Sequence, residues 1–287
     1  MKEHMAPPVF TDLGKAAKDI FEKGYILDIF KLTGKNDTCG YLAMKTGLTH
    51  KFDDGTFKAD VEASYPFPRY GLTFTKKWNT QNVIGLAAEL ANKIYPGVSL
   101  KAEGTFNPDT GVKYGIYTFS YKHENVSGRA SLSGGVEANM MIDSSVVVGH
   151  EGWLAGARAE YDNTEGVLKN HYVGVGHSYG GIQAFLIAQN AQIYTASIYQ
   201  RVNNRLEMGL SFGTDLGDGP RKFYNLGARY LLDDDTSVRV KVDNQSMVGL
   251  GLETTLQGCI KLIFSCLIDA KKLNEGGHKF GAGVEIM

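Results

Sequence analysis

Apolar and polar side chains alternate along most of the chain after residue 25. Between residues 57 and 65, the odd positions hold apolar or aromatic side chains, whereas the even positions hold charged residues or serine. The same alternation recurs in residues 98–103, 224–230, 238–243, 248–253 and 279–286. Successive side chains of a β-strand point to opposite faces, so a period of two is the period of a strand. The pattern therefore predicts many strands, each with one apolar and one polar face.

Turn-forming residues separate these segments at short intervals. They include Asp-Asp-Gly at residues 53–55, Asn-Pro-Asp-Thr-Gly at residues 107–111 and three consecutive aspartates at residues 233–235. Short connections of this kind join antiparallel hairpin strands. Strands of about ten residues, joined by such turns, fit roughly sixteen to twenty times into the chain after an N-terminal segment.

The apolar faces lack the bulk that a soluble two-sheet sandwich needs. Sheets that pack face to face fill their interior with large side chains at high density. Here alanine, valine and aromatic residues are frequent at the apolar positions, and the polar faces are as continuous as the apolar ones. A face covered by lipid does not require close packing, but the backbone must then be hydrogen-bonded within a closed sheet. The sequence therefore predicts an all-β protein, a transmembrane antiparallel β-barrel with a water-filled lumen.

Composition narrows the function classes. The 287 residues carry a formal net charge of −1, and this balance argues against a nucleic-acid partner, because such proteins usually have a basic excess. Glycine (35 residues), tyrosine (15) and phenylalanine (14) favour strands and tight turns.

The seven histidines show no metal-ligand spacing, and we expect neither a metal nor a cofactor. Residues 1–25 are rich in charge and have no continuous apolar core, so we expect no secretory signal there.

The first 25 residues follow a different period. Apolar residues recur there at helical spacing, with charged residues on the remaining surface, at Leu13, Ala16, Ala17, Ile20 and Phe21. We predict that residues 1–25 form an N-terminal segment with a short amphipathic helix, with Thr11 as its N-cap, and that residues 26–287 form the barrel. The helix is too short to span a bilayer, so we expect it inside the lumen or on the membrane surface.

A run near the C-terminus resembles a family signature. Residues 230–236 read Tyr-Leu-Leu-Asp-Asp-Asp-Thr, residues 241–244 read Lys-Val-Asp-Asn, and residues 249–252 read Gly-Leu-Gly-Leu. The run is similar to the signature of the eukaryotic mitochondrial porins, the voltage-dependent anion channels of the mitochondrial outer membrane. Val240 departs from it, since a small residue is usual there. Further stretches that agree with the family lie at residues 7–15, 70–75, 77–80, 152–156, 197–200 and 276–279.

The resemblance implies more than the residues alone indicate. It implies nineteen strands, with the first and last strands parallel, and an N-terminal helix in the lumen that contributes to voltage gating. It also implies a channel for small metabolites and ions, including ATP and ADP, with Lys15, Lys18 and Lys23 as contacts for nucleotide phosphates. The partners that it implies are the lipid bilayer, hexokinase and Bcl-2-type proteins, and further copies of the chain.

Three positions depart from the family pattern. Only Gly24 remains of a glycine-rich hinge that usually follows the helix. The family's Gly-Leu-Lys phosphate contact becomes Gly-Val-Ser at residues 97–99, and Lys101 follows on the same strand face. Many members carry a lipid-facing glutamate where this chain has Lys76. The alternation gives the same anomaly by itself, because Lys76 interrupts the row of apolar side chains at the even positions from 70 to 78. A lysine on the lipid face of a barrel costs about 2–4 kcal/mol at the midplane and less near the interfaces.

The polar faces carry nearly equal numbers of cations and anions. The cations are Lys58, Lys101, Arg158, Arg229, Arg239, Lys241, Lys261 and Lys279, and the anions are Asp60, Glu62, Glu103, Glu160, Glu207, Glu253 and Glu285. Because lysines of the helix add to the cations, we predict a modest anion preference that weakens as salt is raised.

Two alternative functions stay open from the residues. Gly-His-Ser-Tyr-Gly at residues 176–180 matches the G-x-S-x-G nucleophile elbow of α/β-hydrolases, and Asp215, Asp233 and His278 follow Ser178 in the required order. That fold needs several amphipathic helices, whereas the sequence predicts one. The second alternative is a related barrel that translocates proteins, and the run at residues 230–252 favours the metabolite channel over it.

Overall fold

The computed structural model describes residues 6–38, 41–136, 138–217 and 221–287. Nineteen strands and one short α-helix account for most of these residues. The helix is α1 (Lys15–Glu22), and the strands are β1 (Ile29–Thr38), β2 (Leu42–Lys51), β3 (Phe57–Phe67), β4 (Leu72–Asn79), β5 (Ile84–Ala91), β6 (Val98–Phe106), β7 (Lys113–Lys122), β8 (Val126–Gly135), β9 (Met141–His150), β10 (Trp153–Asp162), β11 (Val167–Tyr179), β12 (Ile182–Gln189), β13 (Ile193–Arg201), β14 (Leu206–Asp215), β15 (Arg221–Leu231), β16 (Thr236–Asp243), β17 (Met247–Leu256), β18 (Ile260–Asp269) and β19 (Lys279–Ile286).

All nineteen strands belong to one hydrogen-bonded sheet. Strands that follow one another in the chain pair antiparallel, as in the register Leu210↔Leu226 of β14 and β15. The first strand, β1, pairs in parallel with β19, with Leu32 opposite Val284. The sheet therefore closes into a barrel, and both the predicted fold class and the parallel pairing of the first and last strands are confirmed.

Each strand presents one apolar face and one polar face. On β14, Met208, Leu210 and Phe212 lie on the apolar face and are exposed. Glu207 of the same strand lies on the other face and forms an ion pair with Arg229 of β15. The polar faces of β14 and its neighbours also carry α1. The polar face is therefore the inner face of the barrel, and the apolar face is the outer one.

The described residues divide into two compact units. The first unit comprises residues 6–13, 36–46 and 59–175, and Phe10 packs in it against β9 and β10. The second unit comprises residues 14–35, 47–58 and 176–287, and in it α1 packs against β13, β14, β15 and β16. The most buried apolar side chains of the second unit include Ala17 and Ile20 of α1, each 2% exposed.

The N-terminal segment differs from its prediction in one respect. A 3-10 turn covers Phe10–Asp12, and α1 begins only at Lys15, after Gly14 in the left-handed region. The prediction of Thr11 as the N-cap is therefore wrong, because the left-handed Gly14 separates the turn that contains Thr11 from the helix. No helix in the described part of the chain is long and apolar enough to cross a membrane. The division at residue 25 into segment and barrel stays a prediction, and residues 1–5 lie outside the described residues.

Candidate functional site

The α-helix α1 rests on glycines of the inner face of the second unit. Gly209 of β14 lies opposite Gly227 of β15. A Cβ on Gly209 would lie 3.2 Å from the Cβ of Ile20, and a Cβ on Gly227 would lie 3.0 Å from its Cγ2. The pair of glycines therefore leaves the space that the buried Ile20 occupies, and it fixes where the helix packs.

Basic side chains of β16 bind the C-terminal end of the helix. Lys241 Nζ donates a hydrogen bond to the carbonyl oxygen of Phe21 at 2.7 Å, and Arg239 Nη1 donates to the carbonyl oxygen of Asp19 at 3.4 Å. The last carbonyls of a helix have no partner within the helix and carry a partial negative charge. Lys241 thus binds one of these carbonyls, Arg239 adds a second contact to the Asp19 carbonyl that also accepts from the N–H of Lys23, and both cations hold the helix on the wall.

The backbone at Gly24 lies directly against a buried ion pair. Arg239 and Glu253 are each 7% exposed, with 3.4 Å between Arg239 Nε and Glu253 Oε1 and 3.2 Å between Lys261 Nζ and Glu253 Oε2. Gly24 has a φ of +76°, and a Cβ on it would lie 2.8 Å from Arg239 Cδ and closer still to Glu253 Oε1. The position therefore requires glycine both for its backbone conformation and for its close approach to the ion pair.

The chain between Gly24 and β1 is bound at two further residues, Ile26 and Asp28. The backbone N–H of Ile26 donates to Ser265 Oγ at 2.9 Å, and Ser265 Oγ in turn donates to the carbonyl oxygen of Ile26. The N–H of Asp28 donates to the carbonyl oxygen of Phe280 at 2.9 Å, and its carboxylate pairs with Lys279. We call residues 23–28 the tether, since they connect α1 to the wall through these contacts.

Tyr25 lies within the tether, and its ring faces a cation. Lys241 Nζ is 4.1 Å from the centroid of the Tyr25 ring, a distance at which a cation is attracted to the ring face. Burial raises the pKa of the Tyr25 hydroxyl to about 12, while Arg239 opposes this effect and Glu253 adds to it. The hydroxyl therefore stays neutral across the physiological range.

The first unit holds a charge cluster of its own on its inner face. Arg158 of β10 donates from Nε and Nη2 to the two carboxylate oxygens of Asp143, both at 2.9 Å. Arg158 Nη2 also lies 2.6 Å from Glu160 Oε1, and its Cζ is 5.3 Å from the centroid of the Tyr172 ring. The Phe10 ring lies 6.3 Å from the same tyrosine ring, centroid to centroid. The cluster thus fixes the strand face against which the 3-10 turn packs.

The lysines predicted as phosphate contacts lie on two elements. Lys15 and Lys18 are exposed on α1, and Lys18 Nζ is 3.7 Å from Glu22 Oε1. Lys23 directly follows the helix, with its Nζ 2.6 Å from Asp19 Oδ2. Lys101 belongs to β6 in the first unit, where its Nζ lies 3.0 Å from Glu103 Oε1. The structure therefore has Lys15 and Lys18 on α1 and Lys23 directly after it, whereas Lys101 belongs to a strand.

Lys76 lies on the outer face of β4. Its parity is that of Phe74 and Trp78, whose side chains are exposed. Its Nζ is 6.0 Å from the centroid of the Tyr65 ring. Lys77, the next residue, has the opposite parity and pairs with Glu62 at 3.4 Å. The structure therefore has Lys76 in the apolar row that the alternation indicated.

The hydrolase alternative does not fit the backbone at its nucleophile. Ser178 lies within β11, and the glycines that follow it make a turn into another strand, β12. A nucleophile elbow needs a helix at that point. The imidazole of His278 accepts a hydrogen bond at Nδ1 from the N–H of Asp269 at 3.3 Å, and its Nε2 lies 3.1 Å from the carbonyl oxygen of Leu273. The residues of the hydrolase motif therefore serve strand and turn geometry.

Among the described residues, no group of three or more His, Cys, Asp or Glu side chains is arranged to hold a metal ion.

The tether is the part of the site that sequence reasoning missed. Arg239, Lys241 and Glu253 were expected as charges that face water. Instead, the two cations bind carbonyls in the last turn of α1, and Glu253 pairs with Arg239 below Gly24. A signal for helix docking was present, because Gly209 and Gly227 leave two neighbouring inner-face positions without side chains.

A closed barrel with one polar inner face and a helix bound to it defines a porin-type channel. The family profile of the eukaryotic porins matches residues 6–281. The chain therefore belongs to the eukaryotic porin family, as the sequence predicted, and it is a channel for metabolites rather than an enzyme.

Named relatives align with nearly the whole chain. It is 36% identical over 282 residues to a voltage-dependent anion-selective channel of Drosophila melanogaster, covering 98% of this chain and 99% of the relative. It is 36% identical over 280 residues to the non-selective voltage-gated ion channel VDAC2 of Xenopus laevis, covering 98% and 99%. Its identity to the human channel of the same name is 35% over 280 residues, covering 98% and 95%. These relatives are ion channels, so the protein-translocating alternative is not favoured.

Proposed function

We propose that the protein is a voltage-gated, weakly anion-selective channel of the mitochondrial outer membrane that passes small metabolites and ions, including ATP and ADP. The observation that carries this proposal is the N-terminal helix, which Lys241 and Arg239 hold on the inner face through its C-terminal carbonyls. A charged segment held by a few contacts inside the pore can respond to an electric field. Each elementary charge moved across the membrane potential contributes about 2.3 kcal/mol per 100 mV.

The weakness of the proposed anion preference follows from the inner-face charges. Many inner-face cations of the described residues are paired with carboxylates, as Lys77 is with Glu62 and Lys101 with Glu103. Paired charges largely cancel at a distance, so the remaining field is small and is further screened by salt. We therefore expect selectivity to be weak and to decline as the ionic strength rises.

The lysines of the helix are proposed as the contacts for nucleotide phosphates. Lys18 and Lys23 have side chains that are 66% and 61% exposed, and their partners Glu22 and Asp19 lie on the same helix. Exposed pairs of this spacing contribute only about 0.3–0.5 kcal/mol, so a phosphate can replace the carboxylate. Gly24 is proposed to be the position at which the helix turns relative to the wall when the channel gates.

Planar-bilayer conductance of the purified protein tests the proposal. We expect stepwise channel currents that fall at high voltage of either sign, and a reversal potential in a potassium chloride gradient with the sign of chloride preference. Lys18→Gln should reduce ATP flux, whereas Lys76→Gln, on the outer face, should leave it unchanged. Currents independent of voltage, or a reversal potential of the cation sign, would contradict the corresponding part of the proposal.

Location and partners are proposals of the same kind. The resemblance to mitochondrial porins supports the mitochondrial outer membrane, which fractionation of tagged protein in cells would test. Hexokinase, Bcl-2-type proteins and further copies of the chain stay predicted partners.

We propose that any docking that depends on a lipid-facing glutamate is absent here, because Lys76 carries the opposite charge. Crosslinking of the parent and Lys76→Glu proteins with hexokinase would show whether the charge decides binding.

A further inference from the structure

The outer face around Lys76 combines a charge with an apolar surface. Its cross-strand neighbours of the same face are Ala63 on β3 and Leu86 on β5, and neither can pair with an ammonium group. The aromatic ring of Tyr65 is the contact that the described part of the structure gives Lys76 Nζ. A cation on a lipid-covered face is costly without an anionic partner. Such a partner must therefore come from the surroundings.

A depression lies on the same face of the sheet, and Leu72 of β4 and Ala88 of β5 belong to its lining. Its volume is about 610 Å³, within the range of about 300–1,000 Å³ that is typical of small-molecule sites. Three alanines line it, Ala88, Ala102 and Ala130. The other lining residues of the outer face are Leu72, Leu90, Leu100, Tyr117, Phe119, Leu132 and Ile142, and Lys101, Thr118 and Ser131 of the opposite parity complete the lining. Ala88 pairs with Phe74, two residues from Lys76. The depression is therefore an apolar trough that begins one same-face pair beyond the pair of Lys76 and Leu86.

Lys76 is the fifth of the eight residues of β4, but the strand is short enough for its side chain to approach the nearer end. The strand β4 ends at Asn79, three positions on, which is about 10 Å along a strand and about 7 Å along the membrane normal at the usual tilt of a barrel. Trp78 lies between them on the outer face, where aromatic side chains mark the level of lipid headgroups. In the structure Nζ lies over the Tyr65 ring, on the side of Phe74. Rotation of the lysine side chain toward Trp78, as lysines do near an interface, would bring Nζ close to the level of lipid phosphates.

We propose that this surface binds one anionic phospholipid, with its phosphate on Lys76 and an acyl chain along the alanine trough. The charge selects a headgroup, and the trough accommodates a flexible chain. A second copy of the protein is a poorer occupant, because a two-fold contact through this face would bring two Lys76 ammonium groups together. The site depends on a barrel inserted in a bilayer and otherwise goes beyond the proposed channel function.

Tryptophan fluorescence can report on this lipid directly. The chain has two tryptophans, so the Trp153→Phe variant leaves Trp78 alone, beside the site. The protein is placed in phosphatidylcholine vesicles that contain the same small fraction of either brominated phosphatidylglycerol or brominated phosphatidylcholine. Bromine quenches only nearby tryptophan. We expect an apparent preference of about fivefold for the anionic lipid, which corresponds to one lysine at an anionic membrane surface.

Two further variants separate the site from general charge attraction. Lys76→Gln in the Trp153→Phe background should abolish the preference, whereas Lys77→Gln, with the same change of charge on the inner face, should retain it. Far-UV circular dichroism checks that each variant keeps its strands. Equal quenching by both lipids in the parent, or a preference that survives Lys76→Gln, would overturn the proposal. Absence of quenching by either lipid would instead show that the barrel is not inserted, which is a failure of the proposed function.

Discussion

Replacement of Gly24 by alanine should loosen the tether. A left-handed backbone costs a residue with a side chain about 1–2 kcal/mol, and Gly24 has a φ of +76°. The new methyl group would also press on Arg239 and Glu253, and overpacking of a filled site costs about 1–3 kcal/mol. The two effects together should destabilise the docked tether by about 2–5 kcal/mol.

Gly111 provides a matched control for the backbone effect. It lies in the turn between β6 and β7 with a φ of +74°, and a Cβ on it would meet no atom within 4 Å. Gly111→Ala should therefore show the backbone cost alone, and it should show it far from the tether. The local destabilisation at the tether in Gly24→Ala, minus the local destabilisation at the β6–β7 turn in Gly111→Ala, then measures the contact with Arg239 and Glu253.

Hydrogen exchange followed by mass spectrometry measures the loosening. The N–H of Ile26 is held by Ser265 Oγ, so its exchange requires the tether to open. A factor of ten in an equilibrium constant corresponds to about 1.4 kcal/mol, and we expect the peptide that covers residues 24–28 to exchange at least about tenfold faster in Gly24→Ala. Gly111→Ala should leave that peptide unchanged. If Gly24→Ala exchanges like the parent protein, the argument from close approach is refuted.

Three further changes test the contacts of the helix and tether. Ile20→Ala removes a side chain that is 2% exposed and should make the free energy of helix docking about 2–5 kcal/mol less favourable. Amide exchange in α1 should then be faster. A similar acceleration in Lys18→Ala would argue against the burial explanation. Lys241→Met removes the hydrogen bond to Phe21 and should accelerate exchange of the same amides about tenfold, because a hydrogen bond from a charged group contributes about 1.5–3 kcal/mol. Lys241→Arg should retain most of the protection. Burial raises the pKa of Tyr25 to about 12, so a difference absorbance titration against Tyr25→Phe should show one tyrosine that ionises near pH 12. Because the unfolded chain ionises first, near pH 10, the parent should lose stability relative to Tyr25→Phe as the pH rises from about 10 to about 12, and equal losses in thermal unfolding would contradict this assignment.

The alternation of side chains was enough to predict the barrel and the face of each strand. It assigned Lys76 to the outer face and Lys101 to the inner face, because the parity of a strand residue is a local property. It did not predict the start of α1, since the left-handed Gly14 lies against Ser197 and Phe185 of distant strands. Packing between remote segments, rather than local preference, determines that boundary.

The contact that holds the end of α1 on the wall could not be predicted for a similar reason. The bond from Lys241 to Phe21 joins residues 220 positions apart, and its acceptor is a backbone carbonyl, which leaves no mark in the sequence. The charge of Lys241 and its strand face were visible, but its partner was not. The opposed Gly209 and Gly227 were the local sign that another segment lies on that wall.

The pairing of β1 with β19 has a consequence for how the protein is made. Until β19 has been synthesised, β1 and β18 each present a row of unpaired peptide groups. In lipid these groups would lack partners, and in water they would template association with other chains. Membrane assembly must therefore wait until the ribosome has delivered the last hairpin, and a cell that makes this protein needs a way to shield the unfinished ends during that delay.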